Sequence, residues 1–220
     1  EVARTLGPSK IINEALRQKM IEGLISLLSD THREIRIEAV RSLGKFKDPQ
    51  AIEPLAKAFE NADEEYRDDI ATALAAMPIK EFYPFIDFLM GLPNPKARAG
   101  VAWTLGLVGD ERAEKLLIFF LKDTEPLVRA AAAGALGKIF EIKNNPSLIS
   151  SLIPHLIDPN ERVRAAVVNT LSKSGEPSVT QHLIPMLADE PDFFVCQRIV
   201  LALGILTQKK SISVIQKWLE

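Results

Sequence analysis

An arginine recurs at a nearly fixed interval along this chain. The five copies are Arg36, Arg67, Arg98, Arg129 and Arg164. The successive spacings are 31, 31, 31 and 35 residues, and a leucine follows each arginine by seven positions. A sixth copy keeps that leucine, Leu203, but has Cys196 in the arginine position. A fixed period of this length indicates a repeat architecture rather than one globular core.

Each repeat is predicted to consist of two helices. With the arginine as position zero, apolar residues recur at −1, +3 and +7, which is the spacing of a helix with one buried face. Small residues recur at +6 and +8, as in Ala135 and Gly137, and they would allow neighbouring helices to approach closely. The preceding helix of each pair is also apolar at helical spacing, and four such helices are expected to carry a proline in the first turn. These prolines are Pro54, Pro84, Pro154 and Pro185.

The residue six positions before each arginine lies in the turn between the two helices. In four repeats this residue is Asp30, Asn61, Asp123 or Asp158, and in the third repeat it is Leu92. A short polar side chain there can cap the second helix or meet an arginine.

These motifs resemble the HEAT-repeat superfamily, and within it the short-repeat branch first noted in phycobilisome lyase subunits. The shared pattern is Asp-x5-Arg followed by Ala-Leu-Gly, and then Asp-Pro-x-Ala-Ile, as in Asp48 to Ile52. The resemblance covers nearly the whole chain. It implies a hydrogen-bonded ladder of aspartates and arginines between repeats, so it assigns a structural role to Arg36, Arg67, Arg98, Arg129, Arg164, Asp30, Asp123 and Asp158.

The sequence therefore predicts an all-α protein, a right-handed α-solenoid of stacked helix pairs with about six HEAT-like repeats and partial repeats at both ends. Residues 1–220 are expected to form one such solenoid. The repeat boundaries are set at about 1–20 (partial), 21–50, 51–80, 81–111, 112–145, 146–177, 178–210 and 211–220 (a partial end helix). Leu6-Gly7 matches Leu43-Gly44, which favours a fragment of a longer chain. The longer stretch from Phe140 to Leu148 is either a tolerated loop insertion or a loop that contacts a partner.

Composition and motifs argue against several function classes. A formal net charge of −2 gives no global field for a nucleic acid, and no apolar run reaches the roughly 18 residues of a membrane span. The single cysteine fits a reducing compartment, so a cytoplasmic location is expected. Neither a His-Glu pair, as in HEAT-like hydroxylases, nor a glycine-rich phosphate loop is present. The chain is therefore predicted to be no enzyme and to need no metal or cofactor.

The exposed positions of the second helices are the best candidates for a binding site. Positions +1, +2, +5 and +9 are expected to line a concave surface, and the residues selected there are Trp103, Leu107, Thr72, Asp68, Asp69, Glu38, Arg41 and Asn169. Trp103 stands among small or apolar neighbours such as Gly100, Ala131 and Gly134, and tryptophan is enriched at binding hot spots. The alternative is that Trp103 leans over and packs on the small residues of the next repeat.

The predicted function is a non-enzymatic scaffold that binds a segment of a protein partner on this concave surface, with basic partner residues facing Asp68 and Asp69. Two alternatives stay open. The resemblance to bilin lyases suggests a protein that binds a flat tetrapyrrole around Trp103, with Asp68, Asp69 or Arg41 at its polar edge. The chain could also be a rigid spacer within a larger protein.

Overall fold

The structure is a computed structural model that describes the backbone of residues 8–143 and 147–219. Side chains are described for residues 14–63, 66–140 and 147–207. All regular elements within these ranges are helical, which confirms the all-α prediction. The predicted partial repeat at Leu6-Gly7 and the centre of the longer stretch, residues 144–146, lie outside the described residues. None of the described helices combines the length and the apolar character that a membrane span requires.

The second helix of each predicted pair is long and regular. These helices are α2 (Arg33–Phe46), α4 (Glu64–Ala75), α7 (Pro95–Val108), α9 (Pro126–Lys143), α11 (Glu161–Ser174) and α13 (Phe193–Leu219). Each begins shortly before its repeat arginine or Cys196, after a turn whose polar side chains bond to backbone N–H groups. Asp63 accepts from the N–H of Tyr66, and Asn160 accepts from that of Arg162, as helix caps do. Helix α13 continues past the boundary predicted at residue 210.

Apart from the helix at the start of the chain, which has 19 residues, the first helices are shorter than the second helices, and most of them adjoin 3₁₀ turns. They comprise α1 (Pro8–Ser26), α3 (Ile52–Ala58), α5 (Ile79–Phe82), α6 (Ile86–Met90), α8 (Glu111–Phe120), α10 (Ser147–Leu152) and α12 (Thr180–Asp189), with 3₁₀ segments Leu27–Ser29, Pro49–Ala51, Phe59–Asn61, Tyr83–Phe85, Ile153–Ile157 and Pro177–Val179.

The expectation of first-turn prolines is correct for one of the four. Pro54 is the third residue of α3, but Pro84 and Pro154 lie in 3₁₀ segments, and Pro185 lies inside α12. Proline has no N–H to donate and crowds the preceding turn, so it favours a change from α-helix to 3₁₀-helix at Pro84 and Pro154.

The periodic leucines form the core. The leucines seven positions after the arginines are fully buried in all five arginine repeats: Leu43, Leu74, Leu105, Leu136 and Leu171. Around them pack aromatic and branched residues such as Phe59 and Ile70 in one part of the chain and Phe120 and Val163 in another. Leu203, the copy without an arginine, is half-buried. The period in the sequence is therefore the period of the buried layer.

Glycines at +8 allow the second helices of consecutive repeats to touch. A Cβ atom on Gly44 would lie 3.0 Å from the Cα atom of Ala73, and one on Gly106 would lie 2.8 Å from the Cβ atom of Ala135. In both cases the neighbour occupies +6 of the next repeat. A larger side chain at +8 would push the helices apart, which explains the pairing of small residues predicted from the sequence.

Contacts between Cα atoms divide the chain into two compact units, Glu1–Val101 and Ala102–Glu220. The first unit contains α1 to α6 and the beginning of α7, and the second contains the rest of α7 and α8 to α13. In the second unit, the hydroxyl of Thr170 donates to the carbonyl of Ala133 at 2.7 Å, a buried bond between repeats. The arrangement of all 220 residues as one continuous solenoid stays a prediction.

Candidate partner-binding surface

The predicted surface residues of the first unit form a cluster of ion pairs. The Nε and Nη2 atoms of Arg41 donate to the two carboxylate oxygens of Asp69 at 2.9 and 3.4 Å, and its Nη1 atom donates to Glu38 at 3.1 Å. The hydrogen bonds and charge of Asp69, followed by those of Glu38, raise the pKa of Arg41. Asp68 and Thr72 are exposed on the same helix as Asp69. Because Arg41 already neutralises Asp69, this surface offers less negative charge to a basic partner than the sequence suggests.

Trp103 is the central predicted residue of the second unit, and it is half-buried. Its ring leans toward the next repeat, where a Cβ atom on Gly134 would lie 3.5 Å from the ring atom Cζ3. The Nζ atom of Lys138 lies 4.0 Å from the ring centroid, in a cation–π contact. Trp103 therefore has a fixed orientation and still presents part of its surface to solvent. By contrast Gly100, expected beside it in the hollow, is buried, and a Cβ atom there would collide with the ring of Phe59.

Other apolar residues of the second unit are exposed at the same repeat positions. Leu107 is 37% exposed at +9, and Leu201 and Ile205 are 53% and 46% exposed at +5 and +9 of the sixth repeat. Asn169, at +5 of the fifth repeat, is exposed. The site prediction omitted Leu201 and Ile205, although their places in the +5 and +9 series could have revealed them.

Two ladder arginines of the second unit hold acidic residues of the following repeat. The Nε and Nη2 atoms of Arg129 donate to both oxygens of Asp158 at 2.7 and 2.9 Å. Arg164 makes the same two-pronged contact with Glu190, at 2.8 and 2.6 Å. The arginine side chains are 12% and 13% exposed and their partners 5% and 2%. These are buried, bidentate ion pairs, a geometry that suits the planar guanidinium group.

The ion pairs shift the pKa values of both acids. Burial alone would raise the pKa of Asp158, but the hydrogen bonds from Arg129 and the N–H of Asn160, with the charge of Arg129, outweigh it and lower the pKa. Hydrogen bonds from Arg164 are the main cause of the lowered pKa of Glu190. Glu190 is absent from the predicted ladder. It lies six residues before Cys196, which takes the arginine position of the sixth repeat. Applying the same six-residue spacing to Cys196 would therefore have identified Glu190 as the turn residue.

The two described ladder arginines at the start of the chain make no such ion pair. Within the described residues, Arg36 donates only through Nη1, to the carbonyls of Asp30 and Thr31, and its guanidinium carbon lies 5.5 Å from the ring centroid of Tyr66. Arg67 donates from Nε to the carbonyl of Asp63 at 3.4 Å. The turn residues of their following repeats are Asn61 and Leu92, and neither side chain carries a charge.

One part of the ladder is common to four repeats. The Nη1 atom of the arginine donates to the backbone carbonyl six residues earlier, at 2.8 to 2.9 Å, in Arg36, Arg98, Arg129 and Arg164. The acceptor in the Arg98 repeat is the carbonyl of Leu92, so the aspartate side chain is not needed for this bond. The side chains of Asp30 and Asp123 accept instead from the N–H groups of His32 and Glu125, inside their own turns.

Reactive and metal-binding side chains do not converge in the part of the chain that the structure describes. It contains no group of three or more histidine, cysteine or acidic residues that could hold a metal ion. Cys196 is half-buried, and its Sγ atom lies 3.4 Å from the carbonyl oxygen of Glu190. Burial lowers the pKa of His155, which keeps this imidazole neutral at pH 7.

Helix pairs in a constant repeat register, with arginine contacts from one repeat to the next, define an α-solenoid protein. The sequence model for HEAT repeats matches residues 1–77, 83–144 and 140–204, and the chain belongs to the HEAT-repeat family. This confirms the resemblance inferred from the arginine motif. No curated protein sequence matches the chain significantly.

Solved structures with similar folds include a lyase complex and a large repeat protein. The complex of CpcE and CpcF of phycocyanin lyase from Nostoc sp. PCC7120 is 25% identical, with a TM-score of 0.59 over 70% of this chain and 99% of that chain. Kap121p is 11% identical, with a TM-score of 0.67 over 87% of this chain and 26% of that chain. The likeness to Kap121p shows the fold alone.

Proposed function

We propose that this protein is a non-enzymatic scaffold that binds a segment of a protein partner along its second helices. The observation that carries the proposal is the placement of Trp103, whose ring packs near Gly134 and Lys138 while part of its surface remains accessible to solvent. An aromatic side chain that is fixed before binding loses little conformational entropy when a partner covers it. Exposed Leu107 lies one helical turn further along α7, so the two side chains form one apolar strip.

The partner segment that fits this strip carries an apolar anchor and acidic neighbours. Lys138 lies against the tryptophan ring, and Lys173 is exposed at the same position of the following repeat. In the first unit the predicted residues Glu38, Arg41 and Asp69 bond mainly to one another, so we expect them to contribute less to affinity than Trp103 does.

The test is affinity capture with three versions of the protein: wild type, Trp103→Glu and Phe119→Glu. Phe119 is 65% exposed on α8, a first helix, so its substitution makes the same chemical change on another surface. A protein retained by wild type and Phe119→Glu, but lost by Trp103→Glu, is the expected result. Circular dichroism must show that all three fold. Equal capture by all three would rule out a role for Trp103 and favour the spacer alternative.

A stability measurement separates anchoring from packing at the same residue. Trp103 is only half-buried, so Trp103→Ala should lower the free energy of unfolding by about 2 kcal/mol, less than the 3–5 kcal/mol typical of a buried tryptophan. A loss at the upper end of that range with partner capture intact would mean that Trp103 serves packing alone.

Bilin binding is the second candidate, and the similarity to the phycocyanin lyase complex is what favours it. In this case a tetrapyrrole stacks on the exposed part of the Trp103 ring. Adding a bilin should then change its visible absorption spectrum in the presence of wild type but not of Trp103→Ala. An unchanged spectrum at high protein concentration would remove this candidate and leave the scaffold proposal intact.

A further inference from the structure

An open groove in the first unit is lined by Arg36, whose Nε and Nη2 atoms make no hydrogen bond with any of the described residues. The groove has a volume of ≈ 980 Å³. Its walls include Ile25, Leu28, Arg36, Gln50, Pro54, Asn61 and Phe85. Both Arg36 and Asn61 are therefore exposed to whatever enters the groove. No residue named in the partner-binding proposal lines the groove, so the two sites share no residue.

The equivalent arginines of the second unit show what this guanidinium group accepts. In Arg129 and Arg164 the Nη1 atom holds the backbone of its own turn, while Nε and Nη2 hold a carboxylate. Arg36 makes the first contact with the same geometry, to Asp30 at 2.8 Å. Its Nε and Nη2 atoms have no hydrogen-bond acceptor within the described residues. The residue in the position of Asp158 and Glu190 is Asn61, which forms no hydrogen bond with Arg36.

Arg36 is nevertheless held in a fixed position. Two carbonyls anchor Nη1, and the guanidinium lies over the ring of Tyr66, which is 3% exposed. A guanidinium restrained in this way loses little freedom when a ligand binds to its remaining N–H groups. The guanidinium group of Arg36 is thus preorganised to bind one carboxylate.

We propose that this groove binds a partner peptide through one aspartate or glutamate side chain, which takes the place of the missing ladder carboxylate on Arg36. Apolar walls formed by Ile25, Leu28 and Phe85 suit the aliphatic part of a peptide. The amide of Asn61 can bond to the peptide backbone, whereas that of Gln50 already pairs with Gln18. Two acids of the groove are already engaged, since Asp30 accepts from the N–H of His32 and Glu53 pairs with Lys57. The half-buried carboxylate of Glu60 disfavours a run of acids, so a single acidic residue is preferred.

The test follows the arginine side-chain Nε–H signals by ¹⁵N NMR during addition of acetyl-Gly-Glu-Gly-amide. The Arg36 signal, identified by its loss in Arg36→Lys, should shift in a saturable way, while the signal of Arg129 should not move because its N–H groups already hold Asp158. Acetyl-Gly-Gln-Gly-amide should bind about tenfold more weakly or not at all, because a charged acceptor makes the stronger hydrogen bond. Sodium acetate should also bind more weakly, since it cannot contact the groove walls.

Two variants change the same charge at different places in the groove. Asn61→Asp should supply the carboxylate from within the chain, shift the Arg36 signal before any peptide is added, and abolish the response to peptide. Gln50→Glu adds the same charge to the groove wall and should leave most of the response. The proposal is overturned if Arg36 does not respond to the glutamate peptide, if the glutamine peptide or acetate binds equally well, or if both variants lose the response alike.

Discussion

Arginines at the equivalent repeat position make different contacts in the two units of this protein. In the second unit Arg129 and Arg164 are closed ion pairs that link one repeat to the next. In the first unit Arg36 keeps the contact to its own turn but has an uncharged residue where the carboxylate would be. The repeat motif therefore combines two separable interactions: a bond within the turn and an optional ion pair between repeats. The two units therefore differ in whether the Nε and Nη2 atoms of the arginine hold a carboxylate of the next repeat.

The sharpest test compares the turn residues Asp158 and Asn61, which occupy equivalent positions. Asp158→Ala leaves Arg129 buried without its counter-charge and frees the N–H of Asn160, so the free energy of unfolding should fall by about 3–5 kcal/mol. Asn61→Ala removes an exposed side chain that has no role in the ladder, and its effect should stay within about 0.5 kcal/mol. Urea unfolding followed by circular dichroism measures both. Equal losses would mean that the two units do not differ in this way.

Acid should weaken the second unit through Glu190. Glu190→Gln keeps the shape of the side chain but removes its charge, and should cost about 2 kcal/mol at neutral pH. The pKa of Glu190 is lower in the folded than in the unfolded protein. Its contribution is therefore fully present above the ordinary glutamate value of 4.5 and is lost as pH falls through the lowered folded value.

The difference in unfolding free energy between wild type and Glu190→Gln should thus be constant near neutral pH and shrink below about pH 4.5. Arg164→Gln supplies the control background, in which the same glutamate substitution should change the pH dependence far less. A difference that grows in acid would contradict the assignment of this ion pair.

Tyr66 offers a smaller effect in the first unit. Its ring is buried under Arg36, and its hydroxyl has no hydrogen-bond partner among the residues whose side chains are described. Burial is also the main cause of its raised pKa. Tyr66→Phe removes this unsatisfied group and keeps the ring, so thermal unfolding should show a gain of about 1 kcal/mol. A loss of stability would show instead that the hydroxyl makes a hydrogen bond in solution.

The surface ion pairs of Arg41 should have the smallest effect. The side chains of Arg41 and Glu38 are 49% and 68% exposed. Asp69 is 17% exposed, but the guanidinium group of Arg41 is open to salt and water, which screen both pairs. Arg41→Ala should leave the urea unfolding curve unchanged within error, in contrast to Arg129→Ala. A large loss of unfolding free energy in Arg41→Ala would mean that the charged cluster of the first unit contributes as much to stability as the buried ion pairs of the ladder.

The sequence was sufficient to predict the helix pairs, because the buried positions repeat with the period of the fold. Leu43 and Leu136, or Gly44 and Gly106, can be placed by counting from an arginine. Side-chain pairing was harder to predict, because it depends on side-chain rotamers and on which of several nearby residues makes the contact. The sequence presents Asp69 as a free acid, whereas in the structure it is paired with Arg41. The sequence also places Gly100 on the surface, whereas the ring of Phe59, from the preceding repeat, covers it.

The bond from the arginine to the backbone carbonyl six residues earlier, found in four repeats, has a consequence for how such chains change over time. Every residue at the turn position has a main-chain carbonyl, whatever its side chain. A newly duplicated repeat can therefore form the hydrogen bond from arginine to turn at once, as the repeat with Leu92 at this position does. The contact with the neighbouring copy is free to be gained or lost later, and a single-nucleotide change separates asparagine from aspartate codons. In such a repeat array, a single substitution at the turn position can remove the ion pair between two repeats and leave one arginine available to a ligand, without a change in the other repeats.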